Sequence, residues 1–486
     1  MLPILFIHGY SSEGSNTSTK RIYGKLPSLL KKAFGPNTVK ELNISRWISL
    51  SNGVSLDDVS FAMDRALKKE HPELLTSGFH VVIHSTGALV VRNWIRLYSS
   101  KPCPIGNLVH LAGANMGSGL ATIGKGQLAR WGRFIFVGTG AGTRILRELE
   151  FGNWKTLDIH LHFLQPGNTM HEDYQVQEYC LNGSQVFSGL LKEVLSIIPI
   201  RYVKEDSSDN TVRTTSCNLN IHYIPITPTP NTYTLGARRL LQLVHQREKN
   251  HPLKSQYYDY SLDYLSTKRP SIPFAVLYET AHFGSDIGIM DGKDNRSDVI
   301  PHIKTALETP IDAKAYQKVA DQFQRITHKT MQRASKLKAS VMEWDRQSQY
   351  EGHCQIIFRL RDQCGMNVND YDITFQSSPD YEGQPVLEKM IEDKHINSRH
   401  SGTSTYYLRT VKHDNGQWID LLNTVAPLEL EITAYESLCG NIAYVPLSIT
   451  LDGDHLRTIL STFCTTIIDV NLMRLPTDDV FSIEPA

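Results

Sequence analysis

Residues 79–91 read Phe-His-Val-Val-Ile-His-Ser-Thr-Gly-Ala-Leu-Val-Val, an apolar strand that runs into Ser85 and leaves as an amphipathic helix. A serine on so sharp a strand-to-helix turn holds its hydroxyl above the sheet edge, and the helix N-terminus beneath it favours developing negative charge. That arrangement suits nucleophilic attack on a carbonyl, and Gly87 is the small residue the turn needs. Two points stand against this reading. Position 83 is Ile where Gly usually relieves strand–helix crowding, and the sequence offers no reason for it. Ser-x-Gly after a strand is also the pattern of an ordinary turn in which Ser85 caps the helix.

The start of the chain weighs on the choice. A short apolar strand over residues 2–7 ends in His8-Gly9-Tyr10. In α/β hydrolases a His-Gly-x turn after an early strand gives one backbone N–H of the oxyanion hole, and the residue after the nucleophile gives the other. Those donors are assigned to Tyr10 and Thr86. Either motif alone is an ordinary turn; together they favour a hydrolase.

This fold demands the order serine, acid, histidine, with the last two on loops after later strands. An apolar strand at 200–203 is followed by Lys-Glu-Asp-Ser-Ser-Asp-Asn-Thr-Val, and its Asp-x-x-Val segment nominates Asp209, with Asp206 and Glu205 as neighbouring competitors. The strand at 272–278 precedes His282-Phe283-Gly284, a loop histidine followed by Gly and an apolar stretch. Of nineteen histidines, only His282 has both the order and the loop context. His245 and His251 lie in a polar stretch and read as exposed. His222 alternates with apolar residues as in a half-buried strand. His84 reads as a neutral histidine satisfied by a backbone group.

These residues resemble the PlaB-like bacterial phospholipases A, whose nucleophile motif reads Thr-His-Ser-Thr-Gly; here it is Ile83-His84-Ser85-Thr86-Gly87. The resemblance extends to Phe6-Ile7-His8-Gly9-Tyr10, Arg46-Trp47-Ile48-Ser49, the segment from Leu111 through Ser118, Ser208-Asp209-Asn210-Thr211-Val212-Arg213, and the segment from His282 through Ile289, spanning most of residues 1–290. It implies a serine lipolytic enzyme cleaving acyl chains from phospholipids and lysophospholipids, with Ser85, Asp209 and His282 as triad; no cofactor or metal is expected. It also implies peripheral membrane contact, a β-rich C-terminal region and a homo-oligomer. The departures are Ile83 and a longer stretch at 225–270 between the acid and base loops.

Strands alternating with helices up to about residue 310 predict a mostly parallel sheet flanked by helices. The catalytic domain is accordingly placed at 1–310, with lid-like insertions at about 117–180 and 225–270. A helix is expected at 57–69, with acids at its start and lysines at its end as the macrodipole prefers. Residues 311–345 read as a connecting helix. Residues 346–486 read as a β-sandwich-like domain, with hairpin signals at Asn415-Gly416 and Asp452-Gly453. Within the first insertion, the glycine-rich run at 138–143 lacks the Gly-Lys-Ser/Thr ending of a phosphate loop and reads as a lid hinge. Trp131 and Phe134 suit either core or acyl-chain walls.

With 486 residues and 41% hydrophobic content, the chain can bury sizeable cores in two domains. Fifty basic and fifty acidic residues leave no global field to draw it to nucleic acid or an anionic membrane, so membrane contact is expected to be local and apolar. No leader-like segment precedes the first strand, no run of about 18 apolar residues occurs, and seven scattered cysteines suit a reduced compartment. A cytoplasmic or peripherally membrane-associated bacterial protein is therefore expected. Two other readings stay open: a serine thioesterase or esterase, and a non-enzymatic lipid-binding or interaction protein on a hydrolase scaffold.

Overall fold

Strands that are apolar on both faces need helices above and below them, and the first part of the chain has this pattern. The computed structural model describes residues 1–8, 23–49, 51–119, 142–185, 205–229, 260–262, 270–284, 286–290, 296–337, 347–377, 387–425, 427–435 and 442–476. The chain divides into two compact units. One comprises Met1–Asn220, Thr267–Gly352 and Lys412–Ile419; the other comprises Ile221–Ser266, His353–Val411 and Asp420–Ala486.

Among the described residues of the first unit, six strands form one sheet: β1 (Ile4–His8), β2 (Val39–Asn43), β3 (Phe79–His84), β4 (Ile105–Leu111), β5 (Gln177–Gly183) and β6 (Phe274–Leu277). Their spatial order is β2-β1-β3-β4-β5-β6, and every pairing is parallel. Five of the six residues of β3 are buried, as a central strand covered on both sides requires. Around the sheet lie α1 (Leu26–Phe34), α2 (Leu56–Glu70), α3 (Gly87–Tyr98), α4 (Trp154–His162), α5 (Arg296–Glu308) and α6 (Ala313–Ala334). Helix α2 starts at a capping box in which the Ser55 side chain accepts from Asp58 N–H and the Asp58 carboxylate accepts from Ser55 N–H. It buries Leu56, Val59, Met63, Ala66 and Leu67, the stripe of an amphipathic helix.

Helix α6 departs from expectation. Read from sequence as a connection between domains, it belongs to the first unit, where Tyr316, Val319 and Phe323 join the core with Tyr179 of β5 and Leu277 of β6. Two of its threonines address β6, the last strand of the sheet. Thr327 Oγ1 accepts from Val276 N–H at 3.0 Å, and Thr330 Oγ1 donates to Val276 C=O at 2.8 Å. A strand at a sheet edge presents unpaired backbone groups, and here hydroxyls of the covering helix satisfy them.

The second unit is β-rich. Strand Thr465–Leu472 runs parallel to Gly352–Asp362 on one side and to His222–Pro228 on the other. Strands Thr403–Asp414 and Ile391–Ile396 extend the sheet beyond the former, and Tyr260–Leu262 beyond the latter. A second, antiparallel sheet holds Asp370–Ser377, Leu428–Tyr435 and Leu447–Leu451. Alternate residues Cys354, Ile356, Phe358 and Leu360 from the first sheet share one core with Leu428, Leu430 and Ile432 from the second, which makes a sandwich. Residues 222–228 and 260–262, placed by sequence in or beside an insertion of the catalytic domain, thus belong to this sandwich.

Asn415 and Gly416 both take left-handed φ, 47° and 83°, as a tight hairpin turn requires. Asp452-Gly453 is no hairpin. Asp452 instead caps the helix Gly453–Ile459, its carboxylate accepting from His455 N–H at 3.0 Å, an alternative use of the same short acidic side chain.

Candidate active site

At the end of β3 the backbone of Ser85 is left-handed, with φ of 53°. A side-chain-bearing residue held there is strained, and such strain persists where the surroundings over-determine it. Ser85 N–H donates to Leu111 C=O at 3.1 Å, and Ser85 C=O accepts from Ala88 N–H at 3.1 Å and Ala114 N–H at 3.2 Å. The cap of α3 is Thr86, which makes no side-chain capping hydrogen bond, so the plain capping turn with Ser85 as cap is not what forms.

Ile83 is fully buried at the end of β3. A Cβ on Gly87 would stand 3.5 Å from Ile83 Cβ and 3.8 Å from Ile83 Cγ2, ordinary van der Waals distances. An isoleucine at position 83 is thus accommodated without a close contact at position 87.

Asp209 is buried in a tight loop. Its Oδ1 accepts from the N–H groups of Thr211 at 3.0 Å and Val212 at 2.8 Å, which fixes the carboxylate plane and leaves Oδ2 directed elsewhere. That oxygen lies 2.8 Å from Nδ1 of His282, itself buried. A carboxylate only accepts, so Nδ1 carries the proton and Nε2 is the unprotonated, basic nitrogen. Among the described residues, no group hydrogen-bonds His282 Nε2. The competing acids are engaged elsewhere: Glu205 receives Arg213 Nε at 2.6 Å, and Asp206 receives Ser348 Oγ at 2.9 Å.

The loop carrying His282 is anchored along its length. Glu279 N–H donates to Tyr350 Oη at 2.9 Å, Ala281 N–H to Ile287 C=O at 2.8 Å, and Ile289 N–H to Ala281 C=O at 2.9 Å. It passes directly over Gly183 at the end of β5, where an added Cβ would sit 1.8 Å from Thr280 O. Gly183→Ala must therefore push the 279–282 turn away. Such overpacking costs about 3 kcal/mol, or roughly 6–12 °C in the thermal midpoint. An unchanged midpoint would mean the turn moves freely.

The structure thus joins Asp209 and His282, and places Thr86 at the start of α3 directly after Ser85. Tyr10, the other expected oxyanion donor, lies outside the described residues, as do Trp131, Phe134, residues 138–141, His245 and His251, whereas Gly142 and Thr143 begin the helix Thr143–Glu148. Sequence reasoning missed Gly183, Tyr350 and a buried cluster beneath α3. In that cluster Arg92 bonds both carboxylate oxygens of Glu178, and His110 Nε2 lies 3.1 Å from the same carboxylate. A charged residue within an apolar helix or strand stretch was the available signal for Arg92 and Glu178.

A parallel sheet flanked by helices, with a left-handed serine between a central strand and a helix and an Asp–His pair on later loops, is the architecture of the α/β-hydrolase fold. Residues 3–145 match the family model described as palmitoyl protein thioesterase. Among solved structures, the chain is similar to phospholipase PlaB from Legionella pneumophila, with a TM-score of 0.78 and 23% identity over 100% of this chain and 97% of that one. It is likewise similar to that phospholipase in complex with thio-NAD, with a TM-score of 0.75 and 22% identity over the same shares. By sequence, no curated protein matches it. At this level of identity the likeness establishes the fold, which here includes the β-rich second unit.

Proposed function

We propose that the chain is a serine hydrolase that releases fatty acids from phospholipids and lysophospholipids through Ser85, His282 and Asp209. The observation that carries this reading is the buried His282–Asp209 hydrogen bond, which leaves Nε2 without a partner among the described residues, in a fold where β3 delivers a strained Ser85. A serine hydroxyl is a weak nucleophile at neutral pH. His282 Nε2 takes its proton as Ser85 Oγ attacks the acyl carbonyl, and Asp209 stabilises the imidazolium that forms. The tetrahedral oxyanion is held by the N–H groups of Thr86 and Tyr10, each worth about 3 kcal/mol of barrier. Collapse breaks the ester C–O bond, and His282 returns the proton to the leaving alcohol. Water, deprotonated by the same nitrogen, then hydrolyses the acyl-serine.

The fold shared with a phospholipase supports a lipid ester as substrate. Among the described residues no helix is long and apolar enough to cross a membrane, and the zero formal charge fits lipid contact through local apolar surface; we place the protein at the membrane periphery, as a homo-oligomer. The match of residues 3–145 to a thioesterase model favours a second reading, hydrolysis of acyl thioesters by the same machinery. A fluorophosphonate probe on the wild-type protein, with fatty-acid release from phosphatidylglycerol, lysophosphatidylcholine and a palmitoyl thioester, tests both. Labelling of Ser85 with release from the two lipids is expected; release from the thioester alone selects the second reading. Lipid binding with neither labelling nor release would make the chain a non-enzymatic lipid binder.

A further inference from the structure

The base loop is held by one contact that neither the Asp209 pairing nor the loop's own hydrogen bonds explain. His84, the last residue of β3 and immediate neighbour of Ser85, extends its ring to the loop 198 positions further on, with Nε2 3.1 Å from the backbone oxygen of His282. The two imidazoles lie 4.4 Å apart between centroids, tilted by 48°. We propose that His84 is a positioning residue: by donating Nε2–H to the His282 carbonyl, it fixes the backbone of the base relative to the serine beside it.

The inference rests on His282 acting as the base. Asp209 controls the ring of His282 through Nδ1, but a ring held at one nitrogen still swings if the backbone below it moves. His84 controls that backbone, and its other end is the nucleophile strand itself, so serine and base are tied by one side chain. A carbonyl only accepts, so His84 must bear its proton on Nε2. Burial, then the neighbouring His282, hold the His84 imidazole well below the ordinary histidine range, partly opposed by the hydrogen bond to the His282 backbone. It therefore stays neutral while His282 takes up a proton. A charged His84 would set a like charge against that imidazolium. Among the described residues the other titratable group on His84 is Tyr23, whose hydroxyl donates to Ile7 C=O at 2.7 Å and accepts from the backbone N–H of His84. Its phenol is raised by burial and stays neutral as well.

The geometry specifies which replacements matter. His84→Phe keeps the ring packing and loses the donor. His84→Gln places an amide N–H near the position of Nε2, whereas His84→Asn places it near Nδ1, out of reach of the carbonyl. Small misplacement of a reacting group costs roughly 10- to 100-fold, so in His84→Phe both kcat and the rate of fluorophosphonate labelling should fall by that factor with KM unchanged. His84→Gln should recover most of the loss, and His84→Asn should not. Equal labelling in all four proteins, or equal loss in the Phe and Gln variants, would overturn the proposal. A wild-type protein silent to the probe would instead remove the serine-hydrolase reading on which it stands.

Discussion

Ser85→Ala is expected to lower fatty-acid release by about 10⁶-fold, leaving only what binding and the oxyanion donors achieve without a nucleophile. Asp209→Asn should cost about 10⁴-fold by a different route. The asparagine Oδ1 can still accept the N–H groups of Thr211 and Val212, so the loop keeps its shape. Its Nδ2 then faces His282 Nδ1, and because both cannot donate, the proton moves to Nε2, the nitrogen that must be basic toward Ser85. The two losses should not add. With Ser85 absent there is no hydroxyl for His282 to activate, so the Asp209→Asn change in a Ser85→Ala background should alter the residual rate little. Steady-state turnover of lysophosphatidylcholine by the two single variants and the double variant measures this. Multiplied losses would mean that Asp209 acts apart from the serine, and the triad assignment would fail.

What could be read in the sequence followed from how local its cause was. Residues 79–91 announce a strand, turn and helix because the apolar run and Gly87 lie within one short segment. Order and loop context point to Asp209 and His282, and the Asp-x-x-Val pattern is the one local mark that sets Asp209 apart from Glu205 and Asp206. The physical separation is tertiary: two loop N–H groups and His282 claim Asp209, whereas Arg213 and Ser348 claim the others. Ile83 is legible only once β3 and α3 are packed and its side chain is seen to lie no closer than ordinary contact to position 87. His222 and its alternating neighbours do form the strand they suggest, but its parallel partner lies more than 240 residues away, and no local pattern names a partner at that distance. Asp452 shows the opposite limit, since a short acid before glycine serves a helix cap as well as a hairpin.

Glu178→Ala is expected to destabilise the first unit by about 3–5 kcal/mol, because it leaves Arg92 as an uncompensated buried charge. Arg92 and Glu178 are 3% and 2% exposed, so water cannot replace the lost partner; the guanidinium also lies over the face of Phe163, 4.6 Å from its centroid. The pair joins α3, which begins beside Ser85, to β5, which ends at Gly183 under the base loop. Burial raises the Glu178 carboxyl, but Arg92 and then His110 outweigh it and bring it down from an ordinary 4.5 to about 2. A group depressed on folding contributes stability above its unfolded value and loses it as pH falls through the folded one. The difference in urea midpoint between wild type and Glu178→Ala should thus be full at pH 7 and shrink between about 4.5 and 2. Arginine stays charged throughout this range, so the variant carries its buried charge at every pH. The paired change Arg92→Met with Glu178→Leu removes both charges and keeps the volume, and should recover most of the loss, since buried ion pairs are often replaceable by apolar residues. If the double variant were no more stable than Glu178→Ala, the cost would come from the lost His110 contact and the cavity, not from the stranded guanidinium.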